Sequence, residues 1–139
     1  MPYKLLLFTL LLYACKNEQE AQYLANFSAC HDEQTWDSTA IRNRLVDQWR
    51  LEYIRCSAGE SPATSDFTIE FKADNTLEVT ENGVVTQTAA WKLKQIGTGF
   101  TLVTTPSISE VAGGIHFCFE RVEFNYSNLD LCDHYFRRF

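Results

Sequence analysis

From Trp49 onward, apolar and polar positions alternate along the chain. Trp49, Leu51 and Tyr53 are interleaved with Arg50 and Glu52, and Phe67, Ile69 and Phe71 with Thr68 and Glu70. Leu77 and Val79 are interleaved with Glu78 and Thr80. Val85, Gln87, Ala89, Trp91 and Leu93 fall on one side of the next segment, and Thr86, Thr88 and Lys92 on the other. Phe100, Leu102 and Thr104 follow, then Phe117 and Phe119, Leu129 and Leu131, and Tyr135 with Phe136 and Phe139. A period of two puts successive side chains on opposite faces of a strand, so each run predicts a strand with one dry face. The breaks carry turn chemistry. Asn82-Gly83 accepts the positive φ of a tight hairpin, and Ala73-Asp74-Asn75-Thr76, Gly97-Thr98-Gly99 and 125–128 are further turns. A longer loop spans 106–114. The pattern predicts an all-β fold of seven or eight short antiparallel strands, an up-and-down meander closing into a barrel. Helical spacing occurs only before it. Asp37 or Ser38 would N-cap a short helix carrying Ile41, Leu45 and Val46, which would cover one end of the sheet.

The start of the chain has a different pattern. Lys4 precedes the apolar run Leu5-Leu6-Leu7-Phe8-Thr9-Leu10-Leu11-Leu12, and Tyr13-Ala14-Cys15 follows. A charged start, a short apolar core and a small residue form the layout of a secretory signal peptide. The run is far shorter than the roughly 20 residues that span a bilayer. With cysteine at the cleavage position, it resembles a bacterial lipoprotein lipobox. This divides the chain into a signal peptide (1–14), a lipidated Cys15 with its tether (15–35) and a barrel domain (36–139). Within the tether, 16–20 is polar and acidic.

Charge narrows the partners. Removing Lys4 with the leader takes the formal charge from -6 to -7. An acidic chain without a Lys/Arg cluster lacks the phosphate-neutralising surface that nucleic-acid binding needs. It also lacks an electrostatic hold on anionic lipid, so membrane attachment would rest on acyl chains at Cys15. Of the five cysteines, Cys30, Cys56, Cys118 and Cys132 then remain. An even number in an exported chain predicts two disulfides. Closing a barrel joins first and last strands, which favours Cys56 with Cys118 or Cys132 and leaves Cys30 for the other.

The order of strands and turns resembles a known family. Leu45-Val46-Asp47-Gln48-Trp49-Arg50-Leu51 is followed by Phe67-Thr68-Ile69-Glu70-Phe71, Asp74-Asn75-Thr76-Leu77, Asn82-Gly83, Trp91-Lys92-Leu93, Phe100-Thr101-Leu102 and Tyr135-Phe136-Arg137-Arg138. This is similar to the small lipocalin-like lipoproteins of Gram-negative bacteria. Larger lipocalins have glycine two places before the first-strand tryptophan, where this chain has Asp47. The resemblance implies that Arg137 or Arg138 packs over Trp49 by cation–π contact. Together with Cys15 it implies a lipid-anchored protein of the bacterial envelope, at the outer membrane.

Three kinds of chemistry can be weighed. An eight-stranded barrel either fills with side chains or holds one small ligand. The residues placed to line an apolar cavity are Trp49, Leu51, Tyr53, Phe67, Ile69, Phe71, Val85, Trp91, Phe100, Leu102, Phe117 and Phe119. His116 with Cys118, and Cys132 with His134, are pairs two apart that would face one way on a strand, but an oxidising compartment favours disulfides over a Cys2His2 zinc set. No G-x-S-x-G, H-E-x-x-H or phosphate loop occurs, so no enzyme and no cofactor is expected. The expected activity is binding of a small apolar ligand in the barrel. The alternative is a structural or protein-interaction module with a filled core, meeting an envelope protein through loops 57–65 or 106–114.

Overall fold

The computed structural model describes residues 25–126 and 132–139. Two short helices, α1 (Phe27–Asp32) and α2 (Ser38–Leu45), precede strands β1 (Gln48–Cys56), β2 (Gly59–Pro62), β3 (Phe67–Phe71), β4 (Thr76–Glu81), β5 (Val84–Ile96) and β6 (Gly99–Thr105). A 3-10 turn (Ser109–Val111) leads to β7 (Gly113–Cys118), β8 (Arg121–Asn125) and β9 (Asp133–Arg138). The strands form one antiparallel sheet in which β1 also pairs with β9. β1 and β3 to β9 therefore close an eight-stranded barrel. β2 is a flap on the outer half of β1, running from Tyr53↔Pro62 to Cys56↔Gly59. The predicted strand residues Leu129 and Leu131 lie outside the described residues, as do Cys15 and the 16–20 tether.

The alternation read from the sequence becomes the inside and outside of the wall. Trp49, Leu77, Val79, Val122, Phe124 and Phe136 are 0% exposed, and Ile69 and Phe71 1%. A side chain with no accessible surface borders no void that admits water. Aromatic rings interlock across the barrel: Phe71 meets Trp91 edge-on at 5.4 Å and Phe124 meets Phe136 at 5.8 Å. These separations are those of favourable aromatic packing, and the interior is a core rather than a pore.

Both barrel ends are covered. Asp37 caps α2 by accepting from the Ala40 N–H at 2.7 Å, and Ile41 and Leu45 are buried. The Trp49 indole donates to the Leu45 carbonyl at 2.8 Å. Of the two candidate arginines, Arg138 lies over the Trp49 ring at 5.1 Å and donates to the Arg44 carbonyl at 2.8 Å. At the opposite end the loop around the 3-10 turn inserts Ile108 and Val111 into the core.

Three expected interior positions face elsewhere. Pairing of β1 with β9 shifts between Leu51↔Phe136 and Tyr53↔Tyr135. Glu52 is the extra residue, held by the Arg121 guanidinium at 2.7 Å and the Ala63 N–H at 2.9 Å. A one-residue slip moves a side chain to the other face. Tyr53 thus stacks on Tyr135 outside the wall, with ring centroids 4.3 Å apart. A second shift, Val79↔Gln87 then Thr80↔Val85, leaves Val85 55% exposed. Phe119 occupies the β7–β8 turn with φ 52° and is 49% exposed. Asn82 and Gly83 both have positive φ, 52° and 80°, as the hairpin reading required.

Outside the barrel, α1 lies across β7. Phe27 packs edge-on against Tyr135 at 5.5 Å, and a disulfide joins Cys30 to Cys118. The second disulfide joins Cys56, at the end of β1, to Cys132, just before β9. This is the pattern expected from closure, with Cys132 as the partner of Cys56. Phe27 and Cys30, in the segment 15–35 read as a tether on sequence, are buried against the outside of the barrel.

Candidate binding cleft

The shortest of the wall's described ladders, the seam, joins β6 to β7. β5 and β6 pair from Ala90↔Thr105 to Ile96↔Gly99, and β7 and β8 pair from Gly114↔Asn125 to Cys118↔Arg121. β6 and β7 pair only at Thr101↔Gly114 and Leu102↔Gly113. Local sequence explains the parting. Gly113 has φ +101°, and a Cβ there would sit 2.2 Å from the Asn125 carbonyl oxygen. Only glycine lets the chain enter β7 this close to β8. The Thr101 hydroxyl donates to the Gly113 carbonyl at 2.6 Å, so a side chain replaces part of the ladder. Beyond Gly114, β7 has no further pair with β6, and the end of α1 lies against this edge of β7.

His31 is the residue that reaches the seam. Its Nδ1 accepts the Phe117 N–H at 3.0 Å. Trp36 stacks on the imidazole at 5.1 Å and 3°, and its indole donates to the His31 carbonyl at 2.8 Å. The His116 ring stands 5.1 Å away, edge to face. His116 Nδ1 in turn lies 2.7 Å from Glu123 Oε2, and the Tyr135 hydroxyl donates to Glu123 Oε1. Glu123 is 3% exposed, so this is a buried polar network under α1.

Its protonation states follow from those contacts. Burial alone raises the Glu123 carboxyl, but the hydrogen bonds from His116 and Tyr135 outweigh it and hold the group below its ordinary value. An ionised carboxylate only accepts, so the proton on the shared bond belongs to His116 Nδ1. Burial, and the Glu123 charge beside it, raise the Tyr135 phenol. Burial, followed by the neighbouring His116, lowers His31 to about 4. Neutral His31 accepts at Nδ1 and carries its proton on Nε2.

Beside the network a cleft of about 690 Å³ opens on the seam. Phe100, Leu102, Ile115 and Tyr126 give it apolar surface. His31, His116, Asn125, Lys94 and Asp32 give it donors and acceptors. Its formal charges, Lys94 and Asp32, cancel. The volume lies within the roughly 300–1,000 Å³ of small-molecule sites. The arrangement suits a neutral molecule with one apolar face and several hydroxyl or amide groups. The chain matches no family model, no curated protein and no solved structure.

The residues singled out from sequence divide between core and cleft. Trp49, Leu51, Phe67, Ile69, Phe71, Trp91, Leu102 and Phe117 are buried in the barrel core. Half-buried Phe100 and buried Leu102 also border the cleft. Loop 57–65 is mostly exposed, whereas Ser107 and 112–114 of the second loop line the cleft. The zinc arrangement does not form, because Cys118 and Cys132 are bonded to Cys30 and Cys56. His31, Asp32, Lys94, Asn125 and Tyr126 carried no sequence signal as a group. The nearest hint was the Gly113-Gly114 pair opening a strand, since glycine in a strand often marks close backbone approach.

Proposed function

We propose that this chain is a non-enzymatic, lipid-tethered envelope protein with a lipocalin-like barrel that binds its ligand in the wall. The filled interior carries this reading: with Trp49, Phe124 and Phe136 at 0% exposure, the barrel has no room beside them for an apolar guest. The recessed, mixed-polarity surface of the seam cleft is then the place for a ligand. Its chemistry favours a neutral, hydroxyl-rich molecule of disaccharide size. The two disulfides fit an oxidising compartment, and Cys15 in its lipobox-like setting supplies the anchor.

Amide chemical-shift mapping with maltose and diacetylchitobiose tests the site. Shifts confined to 99–104, 113–116 and the end of β8 are expected, with loss of binding in Phe100→Ala and Lys94→Ala. A neutral apolar probe should not enter the barrel. Shifts at Phe71, Phe124 and Phe136 on adding that probe would reverse the assignment. For the anchor, mass spectrometry of the membrane-extracted protein should find acyl chains on Cys15, and Cys15→Ser should abolish membrane retention.

A further inference from the structure

The way α1 ends on the seam has a consequence for control of the cleft. Past Cys30, His31 accepts the Phe117 N–H of β7 and Trp36 stacks on His31. Cys30 is fixed to β7 by the disulfide with Cys118. His31 is therefore the first residue that can move without breaking a covalent bond. It is also one wall of the cleft.

We propose that His31 is an acid-sensitive latch on the β7 side of the cleft: neutral, it accepts the Phe117 N–H and pins α1 to this edge of β7; protonated, it releases that edge while the Cys30–Cys118 disulfide holds the rest of α1 in place. The proposal rests on the cleft reading for its functional meaning, and on hydrogen-bond geometry for its mechanism. A protonated imidazole has no acceptor nitrogen, so the 3.0 Å bond to Phe117 cannot survive the charge. The same proton would place a cation against His116, whose ring is 5.1 Å away. The groups around His31 are Asp32 on α1, His116 on β7 and Glu123 on β8, with Lys94 of β5 across the cleft. Asp32 and Glu123 favour the charged ring, but burial and His116 outweigh them.

The sign is fixed by linkage. Closed, His31 is lowered to about 4 from an ordinary 6.5. Released into water, it returns towards the ordinary value and takes up a proton first. The closed form is thus fully favoured above about pH 6.5 and loses ground down to about pH 4. By pH 5 the opening equilibrium rises roughly 30-fold.

Hydrogen exchange of the Phe117 amide reads the latch directly. Its protection factor should fall roughly 30-fold between pH 7.5 and pH 5, while ladder amides of β3 and β4 keep theirs. Trp36 emission should shift to the red over the same range, against a constant background from buried Trp49 and Trp91. His31→Asn, which keeps a side-chain acceptor but does not titrate, should flatten both responses. An unchanged Phe117 protection factor in the wild type, or an equal fall in His31→Asn, overturns the latch. Maltose and diacetylchitobiose titrations at pH 7.5 separate the two ideas. Sugar binding together with a Phe117 protection factor that does not change between pH 7.5 and pH 5 rejects the latch and leaves the cleft. The expected pH response of Phe117 without binding of either sugar rejects that ligand class and leaves the latch.

Discussion

Phe124→Ala tests how tightly the barrel is filled. Phe124 is 0% exposed, with Phe71 stacked at 6.2 Å and Phe136 edge-on at 5.8 Å. Removing the ring deletes its burial and leaves a cavity. Such changes cost about 3–5 kcal/mol, more where the surroundings cannot collapse. Here the wall is a closed ladder tied by two disulfides, so collapse is restricted and about 4 kcal/mol is expected. For a domain of this size that is roughly 12–15 °C in Tm. Urea unfolding, followed by buried-tryptophan fluorescence, would give the free energy, with an unchanged m-value showing that only stability moved. The new cavity should also admit a small apolar probe that the wild type excludes. A loss below about 1.5 kcal/mol, with probe uptake already present in the wild type, would mean that the ring borders empty space and the barrel is not filled.

Other substitutions test the elements around the cleft. Joint replacement of Cys30 and Cys118 by alanine opens a cross-link of 88 residues and should cost about 3–4.5 kcal/mol in chemical denaturation. It should also expose Trp36. Gly113→Ala forces a Cβ to 2.2 Å from the Asn125 carbonyl at φ +101°. It should destabilise by more than about 2 kcal/mol and shift Gly114 and Asn125 resonances, and a neutral result would contradict the tight entry into β7. Glu123→Gln should change the acid limb of stability. The folded carboxyl lies below its ordinary value, so its contribution is complete above the unfolded value and is lost as pH falls through the folded one. The wild type should therefore lose stability more steeply than Glu123→Gln below about pH 4.5, while His31→Asn alters the limb above it.

Much of the barrel was legible because a closed wall enforces one period. Phe67, Ile69 and Phe71 could be placed from spacing alone, and the Asn82-Gly83 turn from its demand for positive φ. Cys56 could be sent to a cysteine near the C-terminal end by closure, though not to Cys132 rather than Cys118. The failures have local causes. Tyr53 and Val85 obey the period in sequence but lie beyond bulges, and nothing in an alternating run marks where an extra residue enters. Phe119 extends the alternation of its strand by one residue into a turn. α1, of six residues, is too short to form on propensity. It exists because Phe27 finds Tyr135 and Cys30 finds Cys118, both about ninety or more residues away along the chain. The cleft was hidden for a similar reason, since it depends on two strands parting after Gly114.

The proposed recognition at the wall depends on a full barrel. A xenon-pressurised crystal tests this most directly, since xenon enters apolar voids without needing a specific ligand. No xenon should be found among Trp49, Phe71, Phe124 and Phe136. An ordered xenon atom within that ring of side chains would contradict it and return the ligand to the interior.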